Sequence, residues 1–247
     1  MTNAPSVSVT NLRFGFAGQI VLDQLTFGLS AGGYWLQGAN GAGKSTLLKL
    51  LARSLRPLGG EITLGGLALA QMTAEQRRAV FLCDDELPRL HWLRAIEMVE
   101  LYAALYPKVD RIALHRHFDR MAITDSILHS PIMNLSLGER KKIQLAVALS
   151  VDVVLLLMDE PFNAIDVAAA RYLRDDLEIR IVQRKQIVVL TSHTDPEMGM
   201  RLRRVVLKGG LNSTLVPNDI ADRSLQPRNV ELLVKDLVSC SSNCDAT

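Results

Sequence analysis

Residues 38–46, Gly38-Ala-Asn-Gly-Ala-Gly-Lys-Ser-Thr46, decide the fold of this 247-residue chain. The stretch satisfies the pattern GxxxxGK followed by Ser or Thr, and it lies between the apolar run YWLQ (34–37) and the helical pattern TLLKLLARSL (46–55). Glycines let the backbone turn its N–H groups inward, and the following helix adds the positive end of its dipole. The pattern in this strand-to-helix position predicts a loop that binds phosphate groups.

Side chains of this loop supply the charge and the oxygen atoms that phosphate chemistry needs. Lys44 is a cation for the β- and γ-phosphates, and the Ser45 hydroxyl completes a Mg²⁺ shell, since Mg²⁺ prefers oxygen ligands. We expect the rest of the motif to hold the nucleotide with them: Gly38, Asn40, Gly41, Gly43 and Thr46.

Two carboxylates, Asp159 and Glu160, follow the buried strand pattern VVLLLM (153–158). At the strand end Asp159 suits a metal ion, and Glu160 can accept a proton from an attacking water. The alternative interpretation is a solvated turn, but the phosphate loop upstream favours the catalytic one. His193 follows the strand pattern at 187–191, which is expected to neighbour Asp159. It is therefore a candidate contact for the γ-phosphate, although a lone histidine is usually structural.

The composition is that of a folded chain whose positive and negative charges nearly balance. Apolar residues make up 48% of the sequence, and 28 basic residues nearly balance 26 acidic ones, for a net charge of +2. The charge gives no argument for a nucleic-acid partner, and none is expected. The apolar stretch 146–158 is too short and too interrupted to span a bilayer, and residues 1–6 lack a secretory signal. We therefore expect a cytosolic chain without a structural disulfide.

Short apolar runs alternate with longer helical patterns, which is typical of a mostly parallel sheet covered by helices. The clearest strands are 34–37, 79–83, 153–158 and 187–191. Two further stretches indicate a small antiparallel β-layer: Ser6–Leu12 with Val21–Leu29, and Glu61–Leu69 broken at Gly65-Gly66. The predicted divisions are a domain over 1–216, with an inserted helical subdomain at about 87–149, and a tail over 217–247 with one possible helix at 230–238.

Three further stretches resemble the ATP-binding subunit of ABC transporters. Leu135-Ser-Leu-Gly-Glu139 is similar to the family signature LSGGQ, and a basic helix start, RKKIQLA (140–146), follows it as in the family. LLLMDEPFNAID (155–166) resembles the metal-binding strand and the D-loop, and Thr191-Ser-His193 matches the switch histidine. The resemblance covers about residues 7–216.

The resemblance implies an α/β fold: a P-loop NTPase with a RecA-like core, an antiparallel β-subdomain and an inserted α-helical subdomain. It also implies that two copies face each other head to tail and enclose two ATP molecules with Mg²⁺. Each site would join the phosphate loop of one copy to Ser136 and Gly138 of the other, at a helix N-terminus that suits a γ-phosphate. ATP hydrolysis would then depend on dimerisation.

The resemblance also assigns roles to single residues. Glu160 and His193 correspond to the family's catalytic residues. Phe16 corresponds to the aromatic ring that stacks on adenine. Because Phe14 lies only two residues away, the alternative that Phe16 belongs to the core stays open.

Several positions depart from the family. Where the family usually has a glutamine that links Mg²⁺ to the transmembrane partner, after the strand pattern 79–83, this chain has Asp84 and Asp85. We expect Asp85 to contact Mg²⁺, and the added negative charge to slow hydrolysis or change its coupling. In the signature, Leu137 replaces a glycine and Glu139 replaces glutamine, whereas the serine and the glycine expected to contact phosphate are kept.

The resemblance implies a separate integral membrane permease that carries the transport path, with this chain peripheral on the inner face of the membrane. The family's docking groove maps to Asp84–Val99. Its apolar side chains are either exposed for the partner or part of the core: Leu87, Pro88, Leu90, Trp92 and Leu93. The short subunit and the segment LYPKVDRIALHRHF (105–118) resemble the ATPases of ABC-2-like exporters.

Two alternatives from other classes remain. One is a soluble ABC ATPase that drives a macromolecular machine in repair, ribosome work or cluster assembly. Such proteins usually carry long coiled-coil insertions, fused ATPase domains or a basic patch, none of which is visible in the sequence. The other is a nucleotide-dependent scaffold with little turnover, which the aspartates at 84–85 keep open.

Two other groups of residues are poor metal candidates. His115 and His117, spaced i, i+2 on a predicted helix, point to different faces and are expected on the solvated surface. Cys240 and Cys244 are one helical turn apart, but without a third ligand nearby they are expected in a loose tail.

Overall fold

The computed structural model describes residues 5–84, 90, 92–106, 108–183, 186–193 and 200–217. The strands in these ranges are β1 Ser6–Phe16, β2 Gln19–Ser30, β3 Gly32–Gln37, β4 Gly59–Leu64, β5 Leu67–Ala68, β6 Val80–Cys83, β7 Leu155–Met158, β8 Ile187–Thr191, β9 Leu202–Lys208 and β10 Thr214–Pro217. The α-helices are α1 Lys44–Leu51, α2 Ala95–Leu105, α3 Arg111–Arg120, α4 Asp125–His129, α5 Leu137–Ser150 and α6 Val167–Gln183. Within the described residues, no helix has the length and apolarity needed to span a membrane. Five predicted features lie outside them: Asp85, Leu87, Pro88, the helix at 230–238 and the tail cysteines.

The predicted parallel sheet is confirmed, and within the described residues it has six strands in the order β10-β9-β3-β8-β7-β6. Its neighbouring strands pair in parallel, except that β10 runs antiparallel to β9 at one edge. Every residue of β7 and β8 is buried, as their uninterrupted apolar sequences predict for central parallel strands. Because parallel strands end at one edge of a sheet, the loops that follow β3, β6, β7 and β8 share that edge.

In the part of the chain that the structure describes, the predicted β-layer is a four-stranded antiparallel sheet in the order β2-β1-β4-β5. Gly65 and Gly66 form the two-residue turn between β4 and β5, and both have the positive φ (59° and 83°) that such a turn requires. β1 and β2 are longer than the sequence pattern predicted. Their register shifts, with Asn11 and Gln24 at positive φ, interrupt the alternation on which that prediction depended.

Helix α1 packs between the β-layer and the parallel sheet. Its buried residues Leu47, Leu48, Leu50 and Leu51 share one apolar cluster with residues of β1, β2 and β3. This burial on two sides holds the start of α1 at the edge of the sheet where β3 ends.

Strands β9 and β10 were missed by the sequence analysis. In β9, Leu202, Val205 and Leu207 are buried, whereas Arg203 and Arg204 stack their guanidinium groups over Tyr34 and Trp35. The two adjacent arginines conceal the apolar alternation of the strand. Pairing with β3 is therefore a tertiary effect that the local pattern did not indicate.

Helices α2 to α5 occupy the predicted helical segment, and they share an apolar cluster with the sheet. Met98 of α2, Phe118 of α3 and Ile143 of α5 belong to the same buried cluster as Phe81 of β6 and Leu156 of β7. The helical segment is thereby packed on the strands that lead to the candidate catalytic residues.

The prediction that His117 lies on the solvated surface is wrong, although His115 is exposed as expected. His117 is only 1% exposed, with Nε2 3.2 Å from the Leu149 carbonyl oxygen and Nδ1 2.7 Å from the Tyr172 hydroxyl. Because a carbonyl oxygen only accepts, Nε2 donates to Leu149. In the neutral imidazole, Nδ1 then accepts from the Tyr172 hydroxyl. Burial lowers the pKa of His117, against an opposing effect of Asp176.

We expect the free energy of unfolding to fall as the pH drops below the ordinary histidine pKa of about 6.5. The unfolded chain then takes up a proton that folded His117 does not bind, so the stability present above this pKa is lost as the pH falls towards the lower folded pKa. The slope for one proton is at most about 1.4 kcal/mol per pH unit. Urea unfolding across this pH range should show the effect in the wild type and in the exposed-site control His115→Gln, but not in His117→Gln.

Candidate nucleotide-binding site

The phosphate loop leads directly into α1 without a side-chain cap. Gly43, the residue before the helix, has φ 93°, and a Cβ there would approach the Val21 and Leu22 side chains to 3.0 and 3.1 Å. The backbone conformation therefore favours glycine, and any larger residue would also push the Val21 and Leu22 side chains aside. The first N–H groups of an uncapped helix are available to an anion, which fits the predicted phosphate site.

Lys44 holds its ammonium group over this loop. The Nζ atom donates to the carbonyl oxygens of Gly38 at 2.8 Å and of Ala39 at 3.2 Å. Gly38 in turn lies against β9, where a Cβ would come within 2.7 Å of the Leu207 carbonyl oxygen. The loop is thus fixed to the sheet with its cation already placed at the predicted phosphate site.

Asp159 and Glu160 form a buried turn after β7, so the solvated turn that the sequence left open is wrong. The two residues are only 5% and 8% exposed. Thr191 of β8 joins them, because its hydroxyl donates to Asp159 Oδ1 at 2.6 Å and accepts from the Glu160 N–H at 2.8 Å. The expected neighbourhood of the 187–191 strand and Asp159 is confirmed by this contact and by the β7–β8 pairing.

Glu160 and His193 are in contact. The His193 N–H donates to Glu160 Oε2 at 3.2 Å, and His193 Nε2 lies 3.4 Å from Oε1. The His193 side chain is 59% exposed, whereas that of Glu160 is 10% exposed. Glu160 also has φ 46°, a left-handed backbone that costs a non-glycine residue about 1–3 kcal/mol and is common at active sites.

The signature stretch forms the start of α5, with Ser136 as its N-cap. The Ser136 hydroxyl and N–H donate to the Glu139 carboxylate at 2.7 and 2.8 Å, and the Glu139 N–H donates back to the hydroxyl at 3.2 Å. These hydrogen bonds from Ser136 lower the pKa of Glu139. The helix start that is predicted to meet a γ-phosphate is therefore well ordered and lies at the surface, where Leu137 is 60% exposed.

Phe16 lies at the end of β1 with 52% of its surface exposed, whereas Phe14 is buried at 6%. Their rings meet edge to face, with centroids 4.8 Å apart. Phe14 is the core residue of the pair, and the exposed ring of Phe16 has a free area on which a base can stack.

Asp84, which follows β6, forms an ion pair with Lys49 of α1 at 3.1 Å. Lys49 lies one helical turn beyond Ser45, so the charge of Asp84 is balanced by a cation from the helix that follows the phosphate loop. From the sequence, Asp84 was expected only to add negative charge, and its pairing with Lys49 was not evident.

Lys141 is a further residue near this site that the sequence motifs do not identify. Lys141 lies in the basic helix start, yet it is only 3% exposed and donates from Nζ to the Asp159 carbonyl oxygen at 3.0 Å. The next residue, Lys142, forms an ion pair with Asp166 in the loop before α6. These contacts join α5 to the turn that contains the candidate catalytic carboxylates.

A protein-family model and several known proteins match this chain. The model of the ABC transporter family matches residues 22–163. An uncharacterized ABC transporter ATP-binding protein of Haemophilus influenzae is 26% identical over 94% of this chain and 97% of its own length. The taurine import ATP-binding protein TauB of Pseudomonas putida is 34% identical over 69% of this chain and 64% of its own length.

Solved structures show the same fold. The ATP-binding subunit of an ABC transporter has a TM-score of 0.75 at 22% identity, covering 93% of this chain and 99% of that one. A dimeric ATP-binding cassette, in a post-hydrolysis state with ADP and Pi, has a TM-score of 0.71 at 18% identity, covering 83% of this chain and 95% of that one. The predicted ABC ATPase fold is therefore confirmed.

The phosphate loop, the buried carboxylate pair and the family match agree with one another. They confirm the prediction that this chain is an ATPase and the ATP-binding subunit of an ABC transporter. Subunits of this kind dimerise and work with membrane permeases. The chain belongs to the ABC transporter family of ATP-binding proteins.

Proposed function

We propose that this chain hydrolyses ATP as a head-to-tail homodimer and thereby drives export through a separate membrane permease. The observation that carries the catalytic part is the contact between the buried Glu160 carboxylate and His193, at the sheet edge that also holds the phosphate loop. Glu160 is the general base that accepts a proton from the attacking water, and His193 contacts the γ-phosphate.

The donor set at this edge fits Mg²⁺. The Ser45 hydroxyl and the Asp159 carboxylate are oxygen ligands, which Mg²⁺ prefers, and the Thr191 hydrogen bond orients the carboxylate. Asp85 is the third proposed contact. Bound Mg²⁺ neutralises charge on the β- and γ-phosphates. Asn40, Gly41 and Thr46 complete the phosphate loop, and Phe16 stacks on adenine.

A second copy is proposed to cover the signature surface. Ser136 and Gly138 lie at the exposed start of α5, and the large apolar side chains Met133 and Leu137 near them are 66% and 60% exposed. Val167, after the loop that contains Asp166, is 78% exposed. Exposed apolar groups around a polar anion site suit an interface that closes on nucleotide.

Docking of the permease is proposed at residues 84–99. Of the apolar side chains considered there, Leu93 packs against the core, whereas Trp92 is 70% exposed. The start of α2 just beyond is fixed by Arg94 and Glu97, whose side chains form a salt bridge at 2.8 Å. A large exposed ring on an ordered support suits a protein partner. Export rather than import is supported by the resemblance of 105–118 to ABC-2-like exporter ATPases.

The experiment that tests this function is affinity purification of tagged Glu160→Gln protein from detergent-solubilised native membranes with ATP and Mg²⁺. We expect a closed ATP-bound dimer that brings a polytopic membrane protein with it. A Lys44→Ala control, which lacks the phosphate-binding cation, should recover much less. Recovery only from the soluble fraction, with ribosomal, DNA-repair or assembly factors, contradicts the transport hypothesis.

Replacement of Trp92 by alanine is expected to reduce recovery of the membrane partner at least about tenfold, because a tryptophan that becomes buried in an interface is typically a hot spot. The matched control is Leu58→Ala, since Leu58 is 66% exposed but lies just before β4 in the antiparallel layer. Quantitative mass spectrometry of the purified membrane fraction measures the recovery of the membrane partner with each variant. Equal recovery with Trp92→Ala and Leu58→Ala would place the docking surface elsewhere.

A further inference from the structure

Helix α5 is fastened to the segment 159–166 of the same chain at three points. Lys141 Nζ donates to the Asp159 carbonyl oxygen at 3.0 Å, and Lys142 forms an ion pair with Asp166. Between them, Gly138 lies so close to the Ala164 carbonyl oxygen that a Cβ at Gly138 would come within 2.5 Å of it. The first turns of the signature helix are therefore held against the loop that starts at the candidate catalytic carboxylates.

Lys141 is the unusual member of this set. Lysine is rarely buried, because removal of an ammonium group from water is costly, yet only 3% of Lys141 is exposed. Its Nζ reaches the peptide carbonyl that links Asp159 to Glu160. A cation buried beside two carboxylate-bearing residues suits the electrostatics of the site, and it points to a role beyond the packing of the helix.

The peptide between Asp159 and Glu160 is held from both sides. The Lys141 ammonium group donates to its carbonyl oxygen, and the Thr191 hydroxyl accepts from its N–H at 2.8 Å. The left-handed backbone of Glu160, with φ 46°, persists only where such restraints over-determine it. Rotation of this peptide would carry the Glu160 carboxylate away from His193.

We propose that Lys141 is a positioning residue for ATP hydrolysis, which holds the Asp159–Glu160 peptide and ties the helix beginning at Ser136 to the general base of the same chain. The inference rests on the proposed roles of Glu160 as base and of Ser136 as a contact for the nucleotide bound by the other copy. Closure of Ser136 on that nucleotide is then transmitted through α5 to Glu160. Each copy senses the opposite site before it hydrolyses its own ATP.

The test compares Lys141→Met with the wild type in steady-state ATP hydrolysis. Methionine keeps the length and the apolar stem but removes the ammonium group. We expect kcat to fall about 10- to 100-fold, the loss that misplacement of a catalytic group by about 1 Å produces, with little change in KM for ATP. Lys141→Arg, which keeps a cationic N–H donor, should restore part of kcat.

The matched control is Lys108→Met. Lys108 is exposed and lines a cavity of about 380 Å³ with Val153 and Val154, at the opposite edge of the sheet from Asp159. We expect wild-type kcat for this control. A kcat for Lys141→Met equal to the wild type, or a parallel loss of nucleotide binding and of kcat, would overturn the positioning role.

Two further comparisons separate the possible failures. If Lys141→Met does not fold, Lys141→Gln replaces it, since its neutral amide is one bond shorter than lysine and weakens the contact with the Asp159 carbonyl oxygen. An intermediate kcat is then expected, and a wild-type kcat would overturn the proposal. If the wild type does not hydrolyse ATP, or if Glu160→Gln hydrolyses it equally well, the proposed function itself fails. If Glu160→Gln is inactive while Lys141→Met is fully active, only the positioning role fails.

Discussion

Replacement of Glu160 by glutamine is expected to lower kcat for ATP hydrolysis about 100- to 10,000-fold, the range that a general base contributes. Glutamine keeps the size of the side chain but has no oxygen basic enough to take a proton from water. The backbone N–H of His193 can still donate to its amide oxygen, as it now donates to Glu160 Oε2 at 3.2 Å. ATP binding should therefore persist, and phosphate release at saturating ATP and Mg²⁺ measures the loss.

Nucleotide-driven association gives a second measurement on the same variant. Because Glu160→Gln binds ATP without consuming it, we expect light scattering to show a dimer that persists with ATP and Mg²⁺. The matched control is Glu178→Gln, which removes a carboxylate of α6 that pairs with Arg201, the residue before β9. That control should hydrolyse ATP normally. Unchanged turnover in Glu160→Gln would assign the proton to another group.

Residues that act through local motifs could be predicted from the sequence. The phosphate loop is recognisable because glycines, lysine and serine follow one another between a strand and a helix. Asp159, Glu160 and His193 were identifiable because each follows a buried strand, and parallel strands bring such positions to one edge. The structure places Glu160 and His193 in contact, as this reasoning requires.

Residues that act through tertiary contacts could not be predicted in this way. Lys141 lies in a run of basic residues that is typical of an exposed helix face. Its burial results from the packing of α5 against the turn after β7. The burial of His117 could not be predicted either, because its partner Tyr172 lies 55 residues further along the chain. The Lys49–Asp84 ion pair likewise joins two distant segments. Local patterns carry no information about such partners.

Among the residues that act through tertiary contacts, Thr191 is the one whose substitution is expected to have the largest effect on stability and activity. Its hydroxyl donates to Asp159 Oδ1 and accepts from the Glu160 N–H, and the residue is fully buried. Thr191→Val keeps the shape but leaves both groups without this partner. An unsatisfied buried polar group costs about 1–3 kcal/mol, and two such groups remain, so we expect the free energy of unfolding to fall by about 2–6 kcal/mol.

The same substitution should also reduce catalysis. Without the hydroxyl, the Asp159–Glu160 peptide loses the restraint on its N–H, and we expect kcat to fall at least about tenfold in protein that is still folded. Thr191→Ser is the matched control, because it keeps the hydroxyl and removes one methyl group, at a cost of about 0.8 kcal/mol. Urea unfolding and steady-state ATP hydrolysis of the wild type, Thr191→Val and Thr191→Ser separate the effect on stability from the effect on kcat. If Thr191→Val and Thr191→Ser lose equal stability and equal activity, the methyl group rather than the hydroxyl holds the turn, and the Asp159 carboxylate needs another source of orientation.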